Sequence, residues 1–456
     1  MTGLFQFIYL LLLLAIICLP AILLAKHKNI YDSTFEAILM GSIVGFCQFF
    51  LIALGLFYCK VPVSLAGWVI AYLGNILLTI VLLRTIKQGA GEAGFKQDKV
   101  FWIYIGIVCV VLLAFILQTM RSTGIASDSA YHWFLRGWVF ADTKDIYAFR
   151  YVSITIYPLI VPLIYSFFLQ TNCALGVAGY TAVLMSMFIL IILVAGWKKA
   201  GKLSMIIGVP LSLYLPVFFN DHYYTSYADI PFAIVFCAAL VCLSDSIFKK
   251  KTVYPAAVLL SALVLIRANG TVLVLVTALV SLLYIYRKES GFKIMLIETI
   301  KLFAIPLTVI IIYNRILNYN HAPSEFSRTF MPTIMNEFVN TPDRFVYIWA
   351  KLKLIVSYYA DTGRAVPYNY IYFSPLLFLL VFWRLKRREA FMLLTILSNM
   401  FIYVFPMCMA IAYAELPHWF SYGFTRQLFH FMPALMAGLF FVCLDFMNKI
   451  IDIHKE

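Results

Sequence analysis

Apolar residues in this chain gather in long runs separated by short polar stretches, and run length sets the first expectation. Runs of about 17 to 25 apolar residues are long enough to cross the hydrocarbon of a bilayer as helices. They fall at 4–25, 35–59, 62–83, 100–118, 178–197, 203–219, 230–247, 294–314, 368–383, 391–413 and 428–446. Short basic clusters lie between them: Lys26/Lys28, Arg84/Lys87/Lys96/Lys99, Lys198/Lys199/Lys202, Lys249/Lys250/Lys251, Arg287/Lys288/Lys293 and Arg384/Lys386/Arg387/Arg388. Lys and Arg collect on the cytoplasmic side of membrane proteins, so all six clusters are expected on one face.

That constraint decides the segments whose length is ambiguous. Were 157–169 to cross, the Lys198 and Lys249 clusters would land on the wrong side, and its 13 or so residues with two prolines are too short to span. It reads as a helix lying in the outer interface. The stretch 348–359, interrupted by Lys351 and Lys353, reads as an interfacial piece of one external loop running from 314 to 367. The segments 253–266 and 271–286 are short and anchored at cytoplasmic lysines, so they form a hairpin whose turn, Arg267-Ala268-Asn269-Gly270, lies at or just within the outer leaflet. The expected fold is all-α: a polytopic transmembrane bundle of about 13 helices, N-terminus outside and C-terminus cytoplasmic. Residues 1–95 form a three-helix extension, 96–313 a central module with external loops, and 314–456 an external loop with the C-terminal helices.

Composition supports this reading. The chain has 456 residues, 63% hydrophobic, 17% aromatic and 12% charged, against about 25% charged for soluble domains. The net charge of +14 would suggest nucleic acid in a soluble protein, but here it resides in the clusters that topology explains, and nucleic acid is not an expected partner. The Leu-rich first 25 residues have their first lysines after the apolar run, which marks an entering helix rather than a cleaved signal peptide. Eight of the nine cysteines lie in or at the ends of apolar runs, with no disulfide framework or zinc spacing.

Ionisable residues away from the basic clusters are the candidates for chemistry. Asp128, in Asp128-Ser129-Ala130-Tyr131-His132-Trp133, sits in the first large external loop, where it serves either as a helix cap or as a catalytic acid or base. Asp229 closes a second external loop, Tyr227-Ala228-Asp229-Ile230-Pro231, and suits a helix N-cap as well as a shared site. Arg267 in the hairpin turn and Arg426 ahead of the last helix are cations the topology rule does not explain. Each is a phosphate ligand or a snorkelling side chain. His132 and His222 could join the acids around a divalent cation, Mg or Mn, although no ligand spacing fixes such a site. Glu298 and Lys301, three residues apart on one helix, read as a local salt bridge.

Taken in order, these elements resemble the GT-C superfamily of membrane glycosyltransferases, which use a polyprenyl-phosphate or related lipid-linked sugar donor. The resemblance runs from about Gly124 to Pro433. It rests on the loop acid Asp128, the Tyr157-Pro158 segment with Pro162, the YADIP acid Asp229, the turn carrying Arg267, and Arg426 followed by His430 and Pro433. The chain departs from many members in having Ser129 beside Asp128 instead of a second acid. The resemblance implies Asp128 as catalytic base at an external active site, with Asp229 as a second catalytic candidate. Arg267 and Arg426 would hold the donor phosphate, and His132, Trp133, Tyr157, His222 and Tyr227 would contact substrate.

The expected partners are a lipid-linked sugar donor, a glycan, lipid or protein acceptor, and membrane lipids. The Asn269-Gly270-Thr271 sequon lies in the embedded turn, which points to a bacterial plasma membrane. Direct attack opposite the phosphate would invert the anomeric carbon. The rival readings are a flippase or transporter for a lipid-linked saccharide, and a polysaccharide polymerase or ligase using a pyrophosphate-linked glycan.

Overall fold

The computed structural model describes residues 3–89, 98–121, 133–151, 158–173, 175–218, 228–267, 269–288, 292–319, 344–365, 387–410 and 430–453. Within them every regular element is helical. The α-helices are α1 (Gly3–His27), α2 (Thr34–Tyr58), α3 (Leu65–Thr85), α4 (Lys99–Arg121), α5 (Leu135–Thr143), α6 (Ile160–Gln170), α7 (Gly176–Ala200), α8 (Ser204–Phe218), α9 (Asp229–Lys249), α10 (Tyr254–Ile266), α11 (Gly270–Lys288), α12 (Phe292–Tyr319), α13 (Arg344–Ala365), α14 (Arg387–Ala410) and α15 (Met432–Ile453). Eight helical segments among the described residues are long and apolar enough to cross a membrane. The chain is a multi-pass integral membrane protein.

Helix ends follow local chemistry. Ser33 is extended and its hydroxyl accepts from the Glu36 amide at 3.1 Å, so the sequence Ser-Thr-Phe-Glu starts α2 as a Ser cap with an acid in the first turn. Ser64 does the same for α3 through the Gly67 amide at 3.2 Å. Between α7 and α8, Gly201 takes a positive φ of 54°, a conformation that costs glycine little. The two helices then fold back on one another, and the Lys198, Lys199 and Lys202 cluster lies at the bend.

Four polar side chains that tie the amino-terminal helices together and to the rest are buried or half-buried. Gln48 Nε2 donates to Asn75 Oδ1 at 2.5 Å, and Asn75 Nδ2 donates to the Ile17 carbonyl at 3.0 Å, which joins α1, α2 and α3. Trp68 Nε1 donates to Gln170 Oε1 at 2.7 Å, while Gln170 Nε2 donates to the carbonyls of Val63 and Ala141. Helices 1–3 are therefore docked on α6 and α5, with α2 also packed on α7 and α10.

A group of charged side chains collects at one end of the bundle. Lys198 pairs with Glu36 at 2.6 Å, Lys251 with Asp32 at 2.5 Å, Lys199 with Asp445 at 2.6 Å and Arg388 with Asp245 at 2.6 Å. These contacts join the start of α2, the ends of α7, α9 and α15 and the start of α14. The expected single face for the Lys198, Lys249 and Arg384–Arg388 clusters is thus seen for Lys198, Lys199, Lys249, Lys251 and Arg388, since Lys249 also lies 3.7 Å from Asp32.

Two expectations change. The segment expected to lie in the outer interface is α6, with Ile160 to Phe168 buried. It is too short to span but is enclosed by α5, α2 and α7 instead of resting on lipid. The expected 348–359 piece is a longer helix, α13, with the Lys351 side chain fully buried. The hairpin of 253–266 and 271–286 is α10 and α11, close to the expected boundaries. Glu298 and Lys301 form the expected local pair at 2.6 Å, both well exposed on the helix surface. The expected helix at 368–383 lies outside the described residues.

Candidate functional site

At the end of the bundle away from the lysines, α9 begins at Asp229. Its first intrahelical bond runs from the Phe232 amide to the Ala228 carbonyl at 3.1 Å. Pro231 falls in this first turn, where a missing N–H costs nothing because no intrahelical acceptor exists for it. Ala228 is the cap residue and offers no side-chain cap. Asp229 was a candidate N-cap from its sequence position; instead its carboxylate is turned toward two other helices. A helix of 21 residues rises about 31 Å, so Asp229 and Lys249 are separated by roughly the thickness of a bilayer's hydrocarbon.

Arg267 ends α10 in an extended conformation, φ −141° and ψ 148°, and its carbonyl accepts from the Gly270 amide at 2.9 Å. Gly270 starts α11 so close to α10 that an added Cβ would lie 2.0 Å from the Leu263 carbonyl oxygen. Only glycine allows this turn, and the turn aims Arg267 at the start of α9. α10 has 13 residues and rises about 20 Å, less than α9. His430 comes from the third direction, in the turn just ahead of α15.

The three side chains meet. Arg267 Nη1 contacts Asp229 Oδ1 as an ion pair. His430 Nε2 lies 2.8 Å from the same carboxylate oxygen and 3.0 Å from Arg267 Nη1. With its proton on Nε2, His430 donates to Asp229. With Nε2 bare, it accepts from Arg267. Phe232 covers the imidazole edge-on, ring centroids 4.6 Å apart. Asp229 is 1% exposed, His430 0% and Arg267 12%, so the guanidinium is the one member with an opening to the outside.

This geometry bears on a divalent cation. Oδ1 of Asp229 and Nε2 of His430 both already face the guanidinium of Arg267. A metal ion at those two atoms would sit against a like charge. The cluster is suited to holding a cation rigidly, and a phosphate oxygen is a matching ligand for that cation.

Of the sequence candidates, Asp229 and Arg267 are therefore brought together. Trp133 is 3% exposed and belongs to the hydrophobic core. Asp128, His132, Tyr157, His222, Tyr227 and Arg426 lie outside the described residues. His430 was legible only as part of an Arg-x-x-x-His-x-x-Pro ending, and its contact with Asp229 spans 201 positions in the chain. Arg136, on α5, is fully buried and is an electrostatic neighbour of Tyr313. Its position beside Trp133 in the first loop gave no sign of that burial.

No family model, curated protein or solved structure matches this chain.

Proposed function

We propose that this protein is an integral-membrane glycosyltransferase that moves a sugar from a polyprenyl-phosphate-linked donor to an acceptor hydroxyl on the external face of a plasma membrane. The observation that supports it is the meeting of Asp229, Arg267 and His430. They come from three stretches that the ordered GT-C-like pattern contains, and they meet at the end of the bundle away from the lysines. A multi-helix scaffold also gives a lipid-linked donor a route from the bilayer.

In this reading Arg267 binds the donor phosphate. Asp229 is too buried to touch substrate and acts as a positioning residue that fixes the guanidinium, with His430 bracing both. Asp128 takes the proton from the acceptor hydroxyl. The acceptor oxygen bonds to the anomeric carbon as the bond from that carbon to the phosphate oxygen breaks, and the polyprenyl phosphate leaves with the electron pair. Arg267, joined by Arg426, offsets the charge that grows on the phosphate. Attack opposite the leaving group inverts the anomeric centre.

The test uses the full-length protein in liposomes with a panel of radiolabelled polyprenyl-phosphate sugars. Wild-type protein should release polyprenyl phosphate from one of them. Asp128→Asn should lower the rate about a hundredfold or more, and Arg267→Ala should weaken donor binding at least about tenfold. No release from any donor, together with movement of a lipid-linked saccharide between leaflets, would replace this reading with a flippase.

A further inference from the structure

Helices α1–α3 take no part in the proposed chemistry, and the junction that α1 and α3 build lies at the charged end of the bundle. α1 stops with Asn29 in the left-handed region, φ 50°. The Ile30 amide donates to the Ala25 carbonyl at 3.0 Å and the Asn29 amide to the Lys26 carbonyl at 3.3 Å. This is the Schellman pattern, which satisfies carbonyls that a helix end leaves without intrahelical partners. It turns Ile30 back onto Leu24, Ala25 and Ala37, and Leu82, Leu83 and Ile86 from the end of α3 pack on the same small cluster. The Gly89 amide then donates to the Lys28 carbonyl at 2.9 Å, so the ends of α1 and α3 are held side by side.

That junction gathers Lys26, Lys28, Arg84 and Lys87. Lys28 is half-buried and the other three are exposed. Among the described residues none of these four cations pairs with an acid. The next acids along the chain, Asp32 and Glu36, are turned to Lys198, Lys249 and Lys251 instead. Each of the two helix C-termini offers about half a negative charge, which leaves the junction with a net charge of about +3. On the bilayer side of it the outward faces of α1 and α3 are apolar, with Leu19 and Leu23 on one helix and Leu77, Ile80 and Val81 on the other, each 43% to 64% exposed.

We infer that this corner binds an anionic phospholipid of the surrounding bilayer, its phosphate among Lys26, Lys28, Arg84 and Lys87 and its acyl chains along the apolar faces of α1 and α3. A guanidinium takes phosphate oxygens in bidentate fashion, and lysine ammonium groups on flexible stems reach the remaining oxygens. The exposed leucines, isoleucine and valine lie within about two helical turns of the cations, which fixes the source: a free phosphate would use the charges alone, whereas a lipid uses both. An ethanolamine headgroup carries the same phosphate but adds an ammonium, which the four cations repel. Each Lys or Arg held near an anionic headgroup adds about fivefold in affinity. The site shares no residue with the Asp229 cluster, so it stands or falls independently of the glycosyltransferase reading.

The experiment takes delipidated full-length protein in a neutral detergent at low salt and measures binding of dioleoyl phosphatidylglycerol and dioleoyl phosphatidylethanolamine by native mass spectrometry. The glycerol lipid should bind wild-type protein at least about tenfold more tightly than the ethanolamine lipid. Lys26→Gln with Lys28→Gln, and Arg84→Gln with Lys87→Gln, should each weaken binding of the glycerol lipid about tenfold or more, and all four changes together should abolish the preference. Lys202→Gln with Lys250→Gln removes two exposed cations of the same end that lie outside the junction and should leave the preference intact. Glycerol phosphate, which has the charge without the chains, should not displace the lipid. Equal binding of the two lipids to wild-type protein, an equal loss from the Lys202 and Lys250 pair, or displacement by glycerol phosphate would overturn the inference. Should the fourfold variant fail to fold, the two double variants decide the matter.

Discussion

Replacing Asp229 with alanine should damage the protein far more than an exposed salt bridge would. The ion pair with Arg267 is enclosed, with side-chain exposures of 1% and 12%. At about 3 Å and an effective dielectric of about 20, the attraction between the two charges is about 5 kcal/mol, most of it offset by the cost of taking both out of water. Removing one partner leaves the other buried and unmatched, which costs about 3 to 5 kcal/mol. His430 also loses the carboxylate at 2.8 Å, so the total should fall at the upper end of that range. By contrast, Asp229→Leu combined with Arg267→Met removes both charges at similar volume. That double variant should recover most of the loss, because a buried ion pair is about neutral against a well-packed apolar replacement. The assay is unfolding of the full-length protein in mixed micelles by titration with sodium dodecyl sulfate, with all four members of the cycle compared. Arg267→Met alone should also be strongly destabilising. Single variants each costing under about 1 kcal/mol, or a double variant whose loss equals the sum of the singles, would refute the claim that these two charges depend on one another.

Further outcomes test other parts of the structure. Gly270→Ala places a Cβ on the Leu263 carbonyl and should cost at least about 2 kcal/mol by the same assay; a variant as stable as wild type would mean that the α10–α11 turn is not this tight. Cysteines placed at Lys202, in the α7–α8 bend, and at Lys144, whose carbonyl accepts from the Val63 amide at the far end, should label from opposite sides of the membrane, and labelling from one side would sink the assignment of ends. Burial raises the pKa of Asp32, but the hydrogen bond and charge of Lys251, with Lys198 and Lys249, outweigh it and hold the carboxyl down to about 2 from its usual 3.8. A carboxyl held down in this way lends stability above its ordinary pKa, and that stability is lost as pH falls from about 4 through about 2. Solvent screening at this half-open site reduces it to about 1 kcal/mol, so wild type and Asp32→Asn should differ by about that amount at pH 6 and converge near pH 2.

The bilayer-length helices were legible because one physical length controls them. α1, α2, α4, α7 and α9 begin and end within three residues of the apolar runs, since hydrocarbon thickness sets both the run and the helix. The charged end was legible for the same kind of reason: lysines at 198, 199, 249 and 251 bracket runs of known direction. α6 was not, because an apolar 11-residue stretch has the same composition whether lipid or protein surrounds it. Only the neighbours decide, and the sequence does not name neighbours. Lys351 and Arg136 follow from this too, since a basic residue in an apolar stretch reads as snorkelling unless another helix encloses it.

The same limit explains the candidate site. An acid just before an apolar helix is what a cap looks like, and nothing local separates a cap from a buried partner for a distant cation. In Asp229 the separation comes from two other stretches: a glycine that draws α11 against α10 and so aims Arg267, and a histidine that the last helix delivers from 201 positions away. The sequence carried a hint of this in the order of YADIP, RANG and the His-x-x-Pro ending, because order along a multi-pass chain fixes which helix ends share a side. Sharing a side is a much weaker statement than sharing a carboxylate. It took the tight turn at Gly270 to convert the first into the second, which is why Gly270, rather than any charged residue, is the position where sequence pattern and site geometry are most directly joined.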